Sequence, residues 1–193
     1  MRKTVIADGN GSMLDVIYSS RLVLKKFGPD DMDFILHCSN CPQAAGRFMS
    51  QEKLTPEKFQ ERMASHFYWN DRARAYTIGI RQGELIGLIR FWEKPADSRT
   101  ALVSLQICLP ERRRQGYGTE AQIILVKRLF DCCRYGQVEM HTEQGNVAQQ
   151  RCLEKMGFTF LDSQVYSDLG QERSGKLYRL TRAEYDRLHG YIY

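Results

Sequence analysis

No run of apolar residues in this 193-residue chain approaches the length of a membrane span, and the N-terminus lacks the apolar core of a secretory signal. Those two absences give the expectation of a cytoplasmic protein with no membrane partner. Strong charge imbalance is missing as well: 28 Lys and Arg stand against 23 Asp and Glu, and the net +5 is scattered. No extended basic face results, which argues against a nucleic-acid binder, although a mildly positive chain suits an acidic ligand. Repeats and low-complexity segments are absent. Of the six cysteines, Cys38 and Cys41 beside His37 have metal-ligand spacing, but no second pair completes a set of four, so no metal is expected. Without secretion, disulfides are not expected either. The thiols read as small buried or half-buried side chains.

What is present describes one soluble domain large enough to bury a core, with 42% hydrophobic and 26% charged residues. Residues 1–20 carry little periodicity and read as an N-terminal arm, with a short strand near Val16-Ile17-Tyr18; residues 21–193 form the domain. Strands are expected at 21–26, 75–81, 84–92, 101–109, 137–142, 158–166 and 176–180, the second and third joined at Gln82-Gly83. Helices are expected after Pro29, from Thr55-Pro56 to about residue 69, from the glycine loop to about 134, over 146–156 and over 181–189. Residues 40–54 and 93–100 read as connections. This order predicts an α/β domain, a mixed central sheet with helices on both faces.

Arg113-Arg114-Gln115-Gly116-Tyr117-Gly118 is the densest signal. The apolar run 101–109, closed by Pro110, precedes it as a buried strand. Ala121, Ile124, Leu125, Leu129 and Cys132 follow at helical spacing. A glycine pair between strand and helix lets the backbone turn tightly and approach a ligand. The helix start then offers free N–H groups and the positive end of its dipole. Such a site suits a pyrophosphate. It is not a Walker A loop, because no Gly-Lys-Ser/Thr follows, and the third glycine of the dinucleotide fingerprint is missing. Backbone N–H groups from Gln115 to Thr119, including Gly116, Tyr117 and Gly118, would form the cradle. Arg113 and Arg114 would add charge-assisted contacts. Farther on, Asn146 precedes a helix with Gln149 three residues later, the pattern of an N-cap with a capping-box-like partner.

Arg-x-x-Gly-x-Gly on a strand-to-helix turn resembles the acyl-CoA pyrophosphate loop of the GNAT superfamily of N-acetyltransferases. The block from Asn146 to Phe158, ending Glu154-Lys155-Met156-Gly157-Phe158, resembles that superfamily's Asn...Glu-Lys-x-Gly-Phe helix. Arg21-Leu22-Val23-Leu24, Pro29-Asp30-Asp31 and Gly116-Tyr117-Gly118-Thr119-Glu120-Ala121 are similar to the ribosomal-protein N-terminal acetyltransferase branch. The resemblance implies a mostly antiparallel sheet of six to seven strands, in a monomer or homodimer. It also implies transfer of an acetyl group from acetyl-CoA to a primary amine, with no side-chain acyl intermediate. A protein N-terminus, a polyamine, an amino acid or an aminoglycoside-like drug would all serve as the amine.

Further roles come from the same resemblance. Free backbone groups around Ile107, Cys108 and Leu109 would pair with the pantetheine arm, and one N–H would hold the thioester oxygen. Asn146 would contact the arm. Two positions depart from the family. Leu153 stands where many members carry a Tyr that protonates the leaving thiolate, and Val103 stands where the branch often has a Glu. His141 is then the leading candidate base, with Glu143 and Glu93 as substitutes. The missing groups also leave a second reading, a module that binds CoA without turnover.

Overall fold

The computed structural model describes residues 15–81 and 83–189. The chain opens with β1 (Val16–Tyr18) and β2 (Leu22–Lys26), followed by α1 (Met32–Asn40), α2 (Pro42–Ala45) and α3 (Pro56–Ala64). Three strands follow, β3 (Ala73–Ile80), β4 (Leu85–Lys94) and β5 (Asp97–Ile107), and then α4 (Tyr117–Asp131). The last part comprises β6 (Gln137–Glu143), α5 (Val147–Lys155), β7 (Thr159–Asp168), β8 (Gln171–Thr181) and α6 (Arg182–His189).

Among the described residues the strands join one sheet of eight, in the order β1-β2-β3-β4-β5-β6-β8-β7, against the six to seven expected. The segment Val16–Tyr18 pairs residue for residue with β2, so the boundary expected between residues 20 and 21 falls inside a hairpin. The rest of that arm, 1–14, lies outside the described residues. The long connection expected at 93–100 is instead a tight turn at Pro95-Ala96, with Lys94 paired to Asp97. Thr55 caps α3 by accepting from the Lys58 N–H at 3.2 Å, as its side chain predicts.

Helices cover both faces. Ala121, Leu125, Val126 and Leu129 of α4, spaced to one side, bury against Ala101, Val103, Val138 and Met140 of the sheet, with Leu153 of α5 and Tyr185 of α6. On the opposite face Ile35 of α1 and Phe59 of α3 pack with Phe27, Tyr68 and Ala75. Complete burial of a leucine such as Leu125 or Leu129 contributes on the order of 2 kcal/mol. Among the described residues, no helix is long and apolar enough to cross a membrane.

Every pairing is antiparallel except β5 with β6, and that one is short. It joins Thr100 to Gln137, Ala101 to Val138 and Leu102 to Glu139, then stops. Beyond it β5 runs on to Ile107 and β6 to Glu143 without pairing each other, so the sheet opens at its centre.

Candidate active site

One end of this opening meets the glycine loop. Gly116 holds φ +81, a left-handed conformation that costs a glycine little, and directs the chain into α4. No side chain caps this helix. The first backbone donor that turns back is the Glu120 N–H, to the Gly116 carbonyl at 3.0 Å. The N–H groups of Tyr117, Gly118 and Thr119 are left pointing out of the helix mouth. Arg114, exposed and at φ +60, has no partner for its guanidinium among the described residues. Arg113 is spent differently: its Nε donates to the Ile107 carbonyl at 2.9 Å and its Nη2 to the Gln43 and Ala44 carbonyls at 2.8 and 2.6 Å. It fastens α2 to the end of β5. Gln115 bonds back to the Glu111 carbonyl through its side chain, and its own carbonyl accepts from Arg21.

Glu120, in the first turn of α4, would place a negative charge beside this mouth. Burial alone would raise its pKa, but Ser19, the Arg21 backbone N–H, the Arg21 guanidinium and Ser20 all donate to it and bring it down to about 2. The carboxylate is thereby neutralised by Arg21, 2.6 Å away. The same guanidinium lies 4.6 Å from the Tyr117 ring centroid.

Register decides which β5 peptides face the opening. The Cys108 N–H donates to the Ile86 carbonyl at 2.8 Å, while Ile107 stands opposite Gly87. Successive peptides of a strand point to opposite sides, so the Leu105 and Ile107 peptide groups turn away from β4, toward the gap. Leu109 also turns its N–H to Ile86, at 3.4 Å. Of the three positions expected to offer free backbone groups, Ile107 faces the gap, and Cys108 and Leu109 are engaged by β4. Gly87 makes the tight approach possible, since a Cβ there would run into the Gln106 carbonyl oxygen.

Between β5 and β6 the opening is a cavity of about 380 Å³, reached by Ser104, Leu105, His141, Asn146 and Tyr166. Asn146 caps α5, its Oδ1 accepting from the Gln149 N–H at 3.2 Å. Gln149 and Gln122 then link α5 to α4 at 2.6 Å, and the Thr119 hydroxyl lies 3.1 Å from the Cys152 thiol. His141 is half-buried, with its ring centroid 5.4 Å from that of Tyr166. Burial lowers its pKa, and a hydrogen bond with Gln164 opposes the shift. Burial raises the pKa of Tyr166.

Glu143 lines the same cavity, tied to Arg173 at 3.3 Å. Glu93 does not line it; that residue borders a separate hollow with Phe67 and Tyr68. Leu153 is fully buried in the core, so the family's tyrosine position does not open on the cavity. Cys38 is joined to Cys108 by a disulfide, Cα to Cα 5.4 Å, where no disulfide was expected. The two come together because α1 packs across the end of β5, a contact 70 residues apart in sequence.

Residues 21–159 match the family model of the acetyltransferase (GNAT) domain. The chain belongs to the GNAT acetyltransferases. Members of this family take their acetyl group from acetyl-CoA. The GNAT fold is seen also in the spermidine N-acetyltransferase of Vibrio cholerae solved with CoA and spermine, at 19% identity and TM-score 0.73, over 86% of this chain and 99% of that one. A proposed ribosomal-protein-serine acetyltransferase from the same organism superposes at TM-score 0.67 and 20% identity, covering 86% and 97%. A GNAT acetyltransferase from Bacillus anthracis gives 0.71 at 16%, covering 87% and 99%. No curated protein sequence matches the chain.

Within this GNAT domain, sequence reasoning missed Arg90, Ser104, Tyr166 and Asp168, which all reach the cavity. For Arg90 a signal existed. Leu88, Arg90 and Trp92 alternate with Ile89 and Phe91, so an arginine interrupts one face of a buried strand. Tyr166 and Asp168 arrive from a hairpin whose placement no local pattern reveals.

Proposed function

We propose that this chain transfers the acetyl group of acetyl-CoA to a primary amine by direct attack in a ternary complex. The observation that carries this reading is the parting of β5 and β6 beside an uncapped helix N-terminus. An acyl-pantetheine arm fits the gap as an added strand, using the Leu105 peptide groups and the Ile107 N–H, since the Ile107 carbonyl already accepts from Arg113. The helix mouth with the Tyr117, Gly118 and Thr119 N–H groups and Arg114 suits the pyrophosphate. The side-chain amide of Asn146 stands at the cavity wall for the arm.

The amine nitrogen forms the C–N bond to the thioester carbonyl while the C–S bond breaks. A free N–H of β5 stabilises the charge developing on the oxygen. The attacking amine must be neutral, and His141, which lines the cavity, would accept its proton directly or through a water. The thiolate takes a proton from water, from the ammonium just formed, or from the Tyr166 phenol that lines the same wall. Proximity supplies much of the rate.

The test is calorimetry with acetyl-CoA, expected to give one site per chain and a raised thermal midpoint. Gly118→Val should abolish that heat. A Cβ at Gly118 already presses on Leu105 at 3.2 Å, in the wall of the gap, and two methyls press further. No heat from the parent at millimolar acetyl-CoA would end the reading, and undiminished heat from Gly118→Val would make the loop only a turn.

A further inference from the structure

The charged groups around the cavity do not balance, and the imbalance has one address. Every carboxylate there meets a cation: Glu52 meets Arg62, Glu143 and Asp168 share Arg173, and Glu139 is held by Lys94 at 2.8 Å and Arg179 at 2.6 Å. Asp168 also accepts the Ser50 N–H at 2.8 Å. Arg90 lines the same cavity as an exposed side chain and has no acceptor among the described residues; its guanidinium lies over the Trp92 ring, 4.9 Å from the centroid. Glu52 and Asp168 act on it only through space.

Its neighbours share the deficit. Ser104 stands directly opposite Arg90 in the ladder, and side chains so paired are about 5 Å apart at Cβ. Neither the Ser104 hydroxyl nor the Trp92 indole N–H has a partner among the described residues. Arg90, Ser104 and Trp92 all line the 380 Å³ cavity, and Arg90 and Ser104 also line the hollow of about 100 Å³ beside it. Arg90 is exposed and Ser104 and Trp92 are half-buried, so water serves these three adjacent donors, and a ligand rich in acceptors would take that water's place. The unpaired guanidinium calls for one that is negative, and its planar fork matches a carboxylate.

We propose that the acceptor is a primary amine that itself carries a carboxylate, an amino-acid-like molecule, anchored on Arg90 and Ser104 with its amine toward the gap and His141. This rests on the acetyl-transfer reading. It separates this chain from a polyamine acetyltransferase, since a polycation would meet an arginine without a carboxylate partner in the cavity lining.

Size-matched acceptors test it: L-phenylalanine against phenethylamine, β-alanine against propylamine, γ-aminobutyrate against butylamine, with Gly-Asp against Gly-Asn and spermidine alongside. At least one carboxylate member should exceed its partner in kcat/KM by roughly 10- to 100-fold, the scale of a charge-assisted pair. Preference confined to Gly-Asp would assign the carboxylate to a peptide, and preference within the first three pairs to a free amino acid; either supports the anchor. Arg90→Gln should erase the preference through KM and leave acetyl-CoA heat unchanged. Arg90→Lys should keep part of it, and Arg90→Glu should shift it toward spermidine. Acetyl-CoA heat with spermidine or the plain amines preferred by the parent overturns the anchor alone, as does an Arg90→Gln variant that slows all acceptors equally. Absence of acetyl-CoA heat overturns acetyl transfer and this inference with it.

Discussion

At His141, burial and position act together. Desolvation disfavours the imidazolium, so the ring is neutral over more of the range below pH 6.5 than a free histidine would be. Tyr166, tilted against it, keeps its proton to higher pH than an exposed phenol. One wall therefore holds a neutral imidazole beside a protonated phenol, although both shifts weaken the base and the acid they describe. His141→Gln should lower kcat/KM on the order of 10²-fold and remove the acidic limb of the pH–rate profile, with acetyl-CoA affinity retained. A profile identical to the parent's would leave acceptor pKa and positioning as the sources of rate. Local chemistry explains which residues could be foreseen. Asn146 was legible as a cap because capping is decided within four residues, and the cap is there. The guanidinium contacts of Arg113 were not, because the carbonyls it serves belong to Gln43 and Ala44, some 70 positions earlier.

Among elements, the strands and helices that bury a periodic face fell close to where the apolar spacing put them. The differences lie where pairing overrides composition. Asp97–Thr100 is polar and read as a connection, yet it extends β5 because Lys94 pairs across a two-residue turn. Pro42–Ala45 forms a turn of helix braced by Arg113. The union of α1 with β5 through Cys38 and Cys108 could not be read from spacing, because it depends on which face of the sheet α1 covers. It predicts that the unfolded chain, kept free of reductant, titrates four thiols, those of Cys41, Cys132, Cys133 and Cys152. A loop of that length should lend about 4 kcal/mol by chain entropy, lost on reduction. Six thiols in the unreduced protein would show the pair open.

For the whole molecule, the consequence is how acid should act on it. Glu120 fastens the β1–β2 hairpin at one side of the sheet to the start of α4, and its pKa falls to about 2 from an ordinary 4.5. Glu139, fully buried at the other side of the gap, is also lowered, because its bonds to Lys94 and Arg179 outweigh the cost of burial. Both folded values lie below the unfolded one, so the unfolded chain binds more protons as acid is added. Their stabilisation is complete above pH 4.5 and drains as pH falls; for Glu120 the window closes near 2. The thermal midpoint should hold from pH 7 to about 5 and then drop steeply. Glu120→Gln should lower the midpoint at pH 7 on the order of 5 °C, since four donors lose a charged acceptor. The variant should also lose less than the parent between pH 4.5 and 3, because the group that drives that loss is gone. Parallel curves for parent and variant would mean that Glu120 titrates as an ordinary carboxylate and that the hairpin is held to α4 by packing alone. Convergence at acid pH would show that this one carboxylate couples the edge of the sheet to the helix whose N-terminus is proposed to receive the phosphates.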